Sequence, residues 1–447
     1  MQTSYRLRPG LVDCIRALCA LALPVMLEQL GQFLLGTVDT YFAGQIGDNA
    51  IAAINVSNMF TSLFTGIFTS LGIGITVLIA HAIGEGDHDR GSRLLHQSIL
   101  LGTGAGALIG LVCLLFRRVF LIMAGARGEI LELAVIYFTV VCVPCIFLCL
   151  TMVFSGALKA LQNTRSSMKA ALCANIANAA LDLLFIRMGL GVFGLGLATT
   201  LARGLNLLLL LRSCRREMTS IRLFPPVWRV ELPLMKELAV YSLPIMLTQL
   251  SNRFISLVGG SLVLRLGDIY YVSHSVTLQL DNYVCIPMIG FEAAAASLVS
   301  LSAGAKEPKQ VIRYTWLACL LAMAAMTVLG IGAAVWAVPL SSIFSDTLQV
   351  QLLVKQTLTF MAFFQWTSAL AQVAISAVQG IGDSRTPFYA TLVCNIVFRL
   401  GGGYLMAYVL GWNLVGIWAS YVVDFMARCL PLGLRFARYV RENRLAS

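Results

Sequence analysis

The stretch from Leu23 to Gly47, LPVMLEQLGQFLLGTVDTYFAGQIG, is an apolar segment of membrane-crossing length that carries two carboxylates. At 3.6 residues per turn, Glu28, Gln32 and Asp39 fall within about 40° of one another, forming one polar stripe on an otherwise apolar rod. An ionisable group at membrane depth is costly unless it faces a partner or a water-filled cavity. The stripe is therefore read first as function.

Outward from this stretch, the chain keeps the same character. Its 447 residues are 58% apolar and only 12% charged, with a mean hydropathy of +0.83, outside the range of soluble proteins. Helical crossing of a bilayer takes about 20 apolar residues. Expected spans are 17–40, 50–81, 94–116, 130–155, 168–187, 191–211, 238–263, 270–302, 314–340, 352–378, 388–410 and 414–434. These are long continuous runs rather than short alternating ones, which points to helices and not a barrel. The expected fold is an all-α integral membrane protein with twelve transmembrane helices. The opening MQTSYRLRPGLVDCIR has no small-residue cleavage site after a short apolar region, so no cleaved signal peptide is expected.

The stretch also returns. LPVMLEQL at Leu23 recurs as LPIMLTQL at Leu243, and one offset of 220 residues also pairs Gly47 with Gly267, Arg93 with Arg313, Arg165 with Arg385, Asn175 with Asn395 and Gly191 with Gly411. Matched Gly, Arg and Asn at the same boundaries define an internal repeat. The expected organisation is an amino-terminal six-helix bundle over 1–211, a linker over 212–236 containing Pro225 and Pro226, and a second six-helix bundle over 237–447. An even number of spans per half gives both halves one orientation, as in transporters built from parallel repeats.

Alternate loops differ sharply in Lys and Arg. One side holds Arg90, Arg93, Lys159, Arg165, Lys169, Lys306, Arg313, Arg385 and the basic residues of both termini and the linker; the other holds only Arg117, Arg118, Arg127, Arg187, Arg265 and Lys355. The positive-inside rule then places both termini in the cytoplasm, with the plasma membrane as the expected location. The net charge of +11 is accordingly a topology signal, with lipid headgroups as partners and no role for nucleic acid. The twelve cysteines lie mostly within apolar spans and the four histidines are scattered, so neither disulfide nor metal spacing is present. No nucleophile constellation or nucleotide motif occurs, which argues against an enzyme and against pumping by ATP.

The segments VDTYFAGQIGDNAIAA after Pro24, GALKALQNTR at Gly156, NIANAALDLLFI at Asn175, GVFGLGLATT at Gly191, SLPIMLTQL at Ser242 and AVQGIGDSRTP at Ala377 stand in an order that resembles the multidrug and toxic compound extrusion (MATE) family over essentially the whole chain. The resemblance implies secondary active efflux by alternating access, exporting organic cations or amphipathic xenobiotics in exchange for H+ or Na+, without a cofactor. It also implies a cation-coupling site at Asp39, Asn178, Asp182 and Thr200, where Na+ is one occupant. Spacing adds support, since Asn175, Asn178 and Asp182 share one face of their span and Asp182 lies near its outer end, as Asp39 does in its own. Two carboxylates and an amide in a poorly solvated pocket bind one hard cation through oxygens or hold a proton, and either event changes the local charge by one unit. Thr200 has the alternative of bonding a carbonyl of its own helix.

One branch of the family has acids in spans seven and ten, and this chain has none at those places, reading QLSNRFISL and WTSALAQVAIS instead. Its second half carries other charges, and Glu28, Gln32, Arg253, Asp281 and Glu292 are the expected cavity residues, with Arg253 and Glu292 as an expected ion pair. Pro24, Pro244 and Pro287 are expected kinks. The alternative function is a lipid-linked oligosaccharide or phospholipid flippase of related architecture, for which Arg203, Arg253, Arg399 and Arg428 would supply a cationic cavity. A monomer is expected.

Overall fold

The computed structural model describes residues 10–217 and 229–445. Among them every regular element is helical. In order they are α1 (Leu11–Ile46), α2 (Asp48–Gly84), α3 (His88–Met123), α4 (Gly128–Cys142), α5 (Cys145–Ala160), α6 (Thr164–Arg187), α7 (Gly191–Glu217), α8 (Leu232–Leu266), α9 (Asp268–Val284), α10 (Ile286–Gly304), α11 (Pro308–Val335), α12 (Ala337–Ser342), α13 (Leu348–Gly380), α14 (Arg385–Cys394) and α15 (Asn413–Leu445). Two wider, π-helical stretches, Asn395–Gly402 and Leu405–Val409, follow α14. Nine of the described helices are long and apolar enough to cross a membrane, and the bent pair α4–α5 makes a tenth such span. Pro225 and Pro226 of the expected linker lie outside the described residues, while its flanks are the end of α7 and the start of α8.

The repeat is visible in the turns. Gly47 between α1 and α2 and Gly267 between α8 and α9 take φ of 142° and 127°, a conformation only glycine adopts without strain. Asn163 caps α6 by accepting from the Ser166 N–H at 3.2 Å, and its repeat counterpart Asp383 accepts from the Thr386 N–H at 3.0 Å.

Of the three expected kinks, the one at Pro287 is not found. Pro24 and Pro244 lie inside the continuous helices α1 and α8. Pro287 falls in the first turn of α10, where a missing N–H costs nothing, so it starts a helix rather than kinking one. The sharp bend belongs to Pro144, which breaks the expected span 130–155 into α4 and α5 at 40°. Glycines make room for that bend. Gly102, Gly106 and Gly110 line one face of α3, and a Cβ at Gly106 would stand 2.8 Å from the Ile146 Cα while one at Gly110 would collide with the Val143 carbonyl. The opposite stripe of α3, Leu108, Leu111, Leu115, Val119 and Ile122, is exposed, as suits contact with lipid.

The chain packs as two units, Leu27–Met246 and Met1–Met26 with Leu247–Ser447. α1 and α8 each pass from one unit to the other two residues after their proline. Within Leu27–Met246, Ala43, Ile54, Tyr137, Val141 and Leu195 form a buried cluster, and Thr76 draws α2 onto α5 by donating to the carbonyls of Gly72 and Gly156 at 2.9 and 3.0 Å. Within the other unit, Leu18, Phe291, Leu298, Tyr314 and Val373 pack α1, α10, α11 and α13 together.

Candidate functional site

Inside the Leu27–Met246 unit, α1, α2, α4, α5, α6 and α7 enclose a cavity of about 280 Å³. Its wall includes Glu28, Gln32 and Asp39 from α1, so the stripe on the opening segment faces one space. α6 supplies Ser167, Asn175 and Asn178, and α7 supplies Thr199, Arg203 and Asn206.

Asn178 is the centre of the group towards the carboxy-terminal ends of α1 and α6. Its amide nitrogen donates to the Asp39 Oδ1 at 3.1 Å and to the Asp182 Oδ2 at 2.8 Å, so the two hydrogens of one amide join two carboxylates. Asn178 and Asp182 are each only 1% exposed, and the Asp182 Oδ1 has no partner among the described residues. Further along α1, the Ser167 hydroxyl donates to the Glu28 Oε2 at 3.2 Å and lies 2.8 Å from the Ser155 hydroxyl of α5. Three carboxylates with one guanidinium, Arg203, leave the surroundings of the cavity acidic.

Thr200 stands apart from this group. Its hydroxyl donates to the Val140 carbonyl of α4 at 2.7 Å, and Arg203 donates to the Val141 carbonyl at 3.0 Å. The cause is Pro144, four residues after Val140, which has no N–H to give that carbonyl. The next N–H, that of Cys145, goes to the Val143 carbonyl at 2.8 Å, leaving Val141 open as well. Residues three apart on α7 therefore finish the end of α4. Thr199, not Thr200, faces the cavity.

In the second half, the expected pair of Arg253 with Glu292 does not form among the described residues. Arg253 is exposed and Glu292 half-buried. The buried pairing is elsewhere: the Arg428 Nε and Nη2 donate to the two oxygens of Asp424 at 2.8 and 2.5 Å, and the Arg399 Nε stands 3.3 Å from Asp424. Arg428 also donates to the Asn395 Oδ1 at 2.8 Å, and Asn395 donates to the Asn252 Oδ1 at 2.9 Å. The guanidinium of Arg399, on the π-helical stretch, lies 4.0 Å from the centre of the Tyr421 ring. Asp281 accepts from the Gln365 amide at 2.6 Å and from the Cys285 thiol at 3.6 Å.

Thr199 and Asn206 were not expected in the site, and Arg203 was expected only in the cationic cavity of the flippase alternative. Their signal was in the sequence, a polar i, i+4, i+7 stripe on an apolar helix.

Comparison with known proteins agrees with this architecture. The MatE family model matches residues 24–184 and again 244–405, with starts 220 residues apart. A Thermotoga maritima protein named Probable multidrug resistance protein NorM is 26% identical over 427 residues, covering 92% of this chain and 90% of its own. Multidrug resistance protein MdtK of Pectobacterium atrosepticum is 25% identical, covering 96% of each. The fold matches that of an outward-facing multidrug resistance MATE family transporter with a TM-score of 0.91 at 19% identity, over 96% of this chain and 97% of the other. It also matches the Vibrio cholerae MATE transporter VcmN with a TM-score of 0.90 at 19% identity, over 97% and 98%. With the family model matched once in each half and relatives aligned nearly end to end, the chain belongs to the MatE family of multidrug and toxic compound extrusion transporters.

Proposed function

We propose that this protein is a secondary multidrug efflux transporter of the plasma membrane, acting as a monomer with both termini cytoplasmic, that exports organic cations or amphipathic compounds in exchange for protons. The sequence repeats 1–211 and 237–447, joined by 212–236, are its two functional halves in this reading. Coupling is assigned to Asp39, Asn178 and Asp182. The observation that carries the reading is the single buried amide shared by two carboxylates at one end of an acidic cavity. Its relation to proteins named for multidrug resistance supports the class of cargo.

A proton suits this geometry better than sodium. The Asn178 amide turns its nitrogen, not its oxygen, to both acids, and the Thr200 hydroxyl is committed to Val140. Few oxygens then remain for a hard cation that wants several. A proton needs only one carboxylate oxygen. Its arrival neutralises one acid and loosens the hold of Asn178 across α1 and α6, and this change biases the helix packing towards the state that releases cargo outside.

The flippase alternative gains no support from the named relatives. Three of its four arginines are also occupied, since Arg203 ends α4 and Arg399 and Arg428 share Asp424, while Arg253 is exposed. The deciding experiment uses purified protein in liposomes with a fluorescent organic cation, under a proton gradient or a sodium gradient imposed separately. Transport driven by the proton gradient and lost in Asp39→Asn is expected. Transport driven by sodium alone overturns the choice of ion, and full transport by Asp39→Asn overturns the site.

A further inference from the structure

α1 and α6 are tied twice at the same sequence separation. Asn178 reaches Asp39 and Ser167 reaches Glu28, each across 139 residues. The two ties are eleven residues apart on both helices, about 16 Å along the axis at 1.5 Å per residue. Glu28 therefore lies towards the end of α6 that bears Arg165 and Lys169, the cytoplasmic end by the distribution of basic residues. One cavity wall includes both Glu28 and Asp39. Between and beside them, the Asn175 Nδ2 and Asn206 Oδ1 on the same wall are buried without a partner among the described residues, and buried polar atoms on a polar cavity are satisfied by water.

We infer that Glu28 is the inner proton station of this transporter, receiving through cavity water the proton that enters at Asp39 and Asp182 and handing it to the cytoplasm. This rests on the coupling site proposed above. In the transfer, an O–H bond breaks at the Asp39 and Asp182 pair and forms on water. Water then gives a proton to a Glu28 carboxylate oxygen, and that O–H bond breaks in turn towards cytoplasmic water. The net result is one proton moved inwards and no other bond changed.

The hydroxyls of Ser167 and Ser155 hold Glu28 towards the cavity and extend its hydrogen-bond chain to α5. Direct transfer over about 16 Å is too far, so the asparagines that order water are part of the path. The other titratable or charged groups facing the space are Asp39 on α1, Arg203 on α7 and the Tyr137 phenol on α4, with Asp182 behind Asn178. None of these stands at the inner end, where Glu28 has its serine partner.

The test reconstitutes the full-length protein in liposomes with an entrapped pH dye, comparing wild type, Glu28→Gln, Glu28→Asp, Ser167→Ala and Asp39→Asn. Equilibrium binding of the fluorescent organic cation is measured on the same preparations. Glu28→Gln, which can still accept from Ser167, is expected to bind the cation within twofold of wild type but to slow cation-linked proton movement at least tenfold. Glu28→Asp is expected to restore part of the rate, and Ser167→Ala to slow it severalfold. Wild-type proton movement in Glu28→Gln with loss in Asp39→Asn overturns the station and leaves the coupling site standing. Wild-type movement in Asp39→Asn removes the coupling site and the station with it. Loss of cation binding in Glu28→Gln makes Glu28 a cargo ligand and overturns the relay, and if that variant does not fold, an unchanged rate in Ser167→Ala does the same.

Discussion

Asn178 donates to Asp39 across 3.1 Å, fastening α6 to α1 through an amide whose other hydrogen is taken by Asp182. Removing that amide leaves a carboxylate that is 1% exposed without its donor. Asn178→Ala is therefore expected to cost about 1–3 kcal/mol of stability, the range for a buried polar group left unsatisfied. Proton-driven cation transport is expected to fall at least tenfold, and thermal unfolding in detergent together with liposome transport measures both. Unchanged transport would separate Asn178 from coupling.

The stripe of Glu28, Gln32 and Asp39 was legible because a helix in lipid has no reason to carry acids on one face unless that face meets something polar. The repeat also tells where the site is confined. Asp39, Asn178 and Asp182 have Gly259, Phe398 and Gly402 as their counterparts 220 residues on, so the second half keeps the fold without a copy of the acids. Other parts were not legible. Thr200 looks like a ligand by position, and only the broken helix at Pro144 shows which carbonyl claims it. The pairing of Arg253 with Glu292 was misjudged because Arg253 falls on an exposed face of α8; the buried charges that do pair are Arg428 and Arg399 with Asp424, and the π-helical winding that carries Arg399 is not legible from periodicity.

Asp424 is fully buried and relies on Arg428 and Arg399. Arg428→Met leaves the carboxylate with the longer contact alone. A loss of about 3–5 kcal/mol is expected, as for other buried pairs broken on one side. Asp424→Leu combined with Arg428→Met is expected to be milder than the sum of the single changes, and a double-mutant cycle by thermal unfolding measures the difference. Strict additivity would mean that the pair carries no coupling energy.

Asp383, between α13 and α14, accepts from the N–H groups of Arg385 and Thr386 at 3.0 Å each, from the Thr386 hydroxyl at 2.7 Å and from the Arg435 Nε at 2.7 Å. Partial burial pushes its carboxyl up, but the Thr386 bonds and the Arg435 guanidinium outweigh that and hold it below the ordinary value of 3.8. A lowered value in the folded state gives stability that is present above the unfolded value and is lost as the pH falls through the folded one. The melting temperature of the wild type is thus expected to drop below about pH 4, with a shallower drop in Asp383→Asn. Parallel curves for the two proteins would contradict this account.

Thr200 gives the sharpest contrast between a coupling role and a structural one. Its hydroxyl serves the Val140 carbonyl because Pro144 has no N–H to offer. Thr200→Val is expected to cost about 1–3 kcal/mol while retaining proton-driven transport to within a few-fold. In a Pro144→Ala background the residue at 144 regains an N–H for Val140, and the cost of Thr200→Val is expected to shrink. Thermal unfolding of the four proteins in the cycle, with liposome transport beside it, decides the matter. If Thr200→Val abolishes transport at normal stability, the hydroxyl is a ligand of the coupling ion, and the carbonyl at Val140 is only where it rests when that ion is gone.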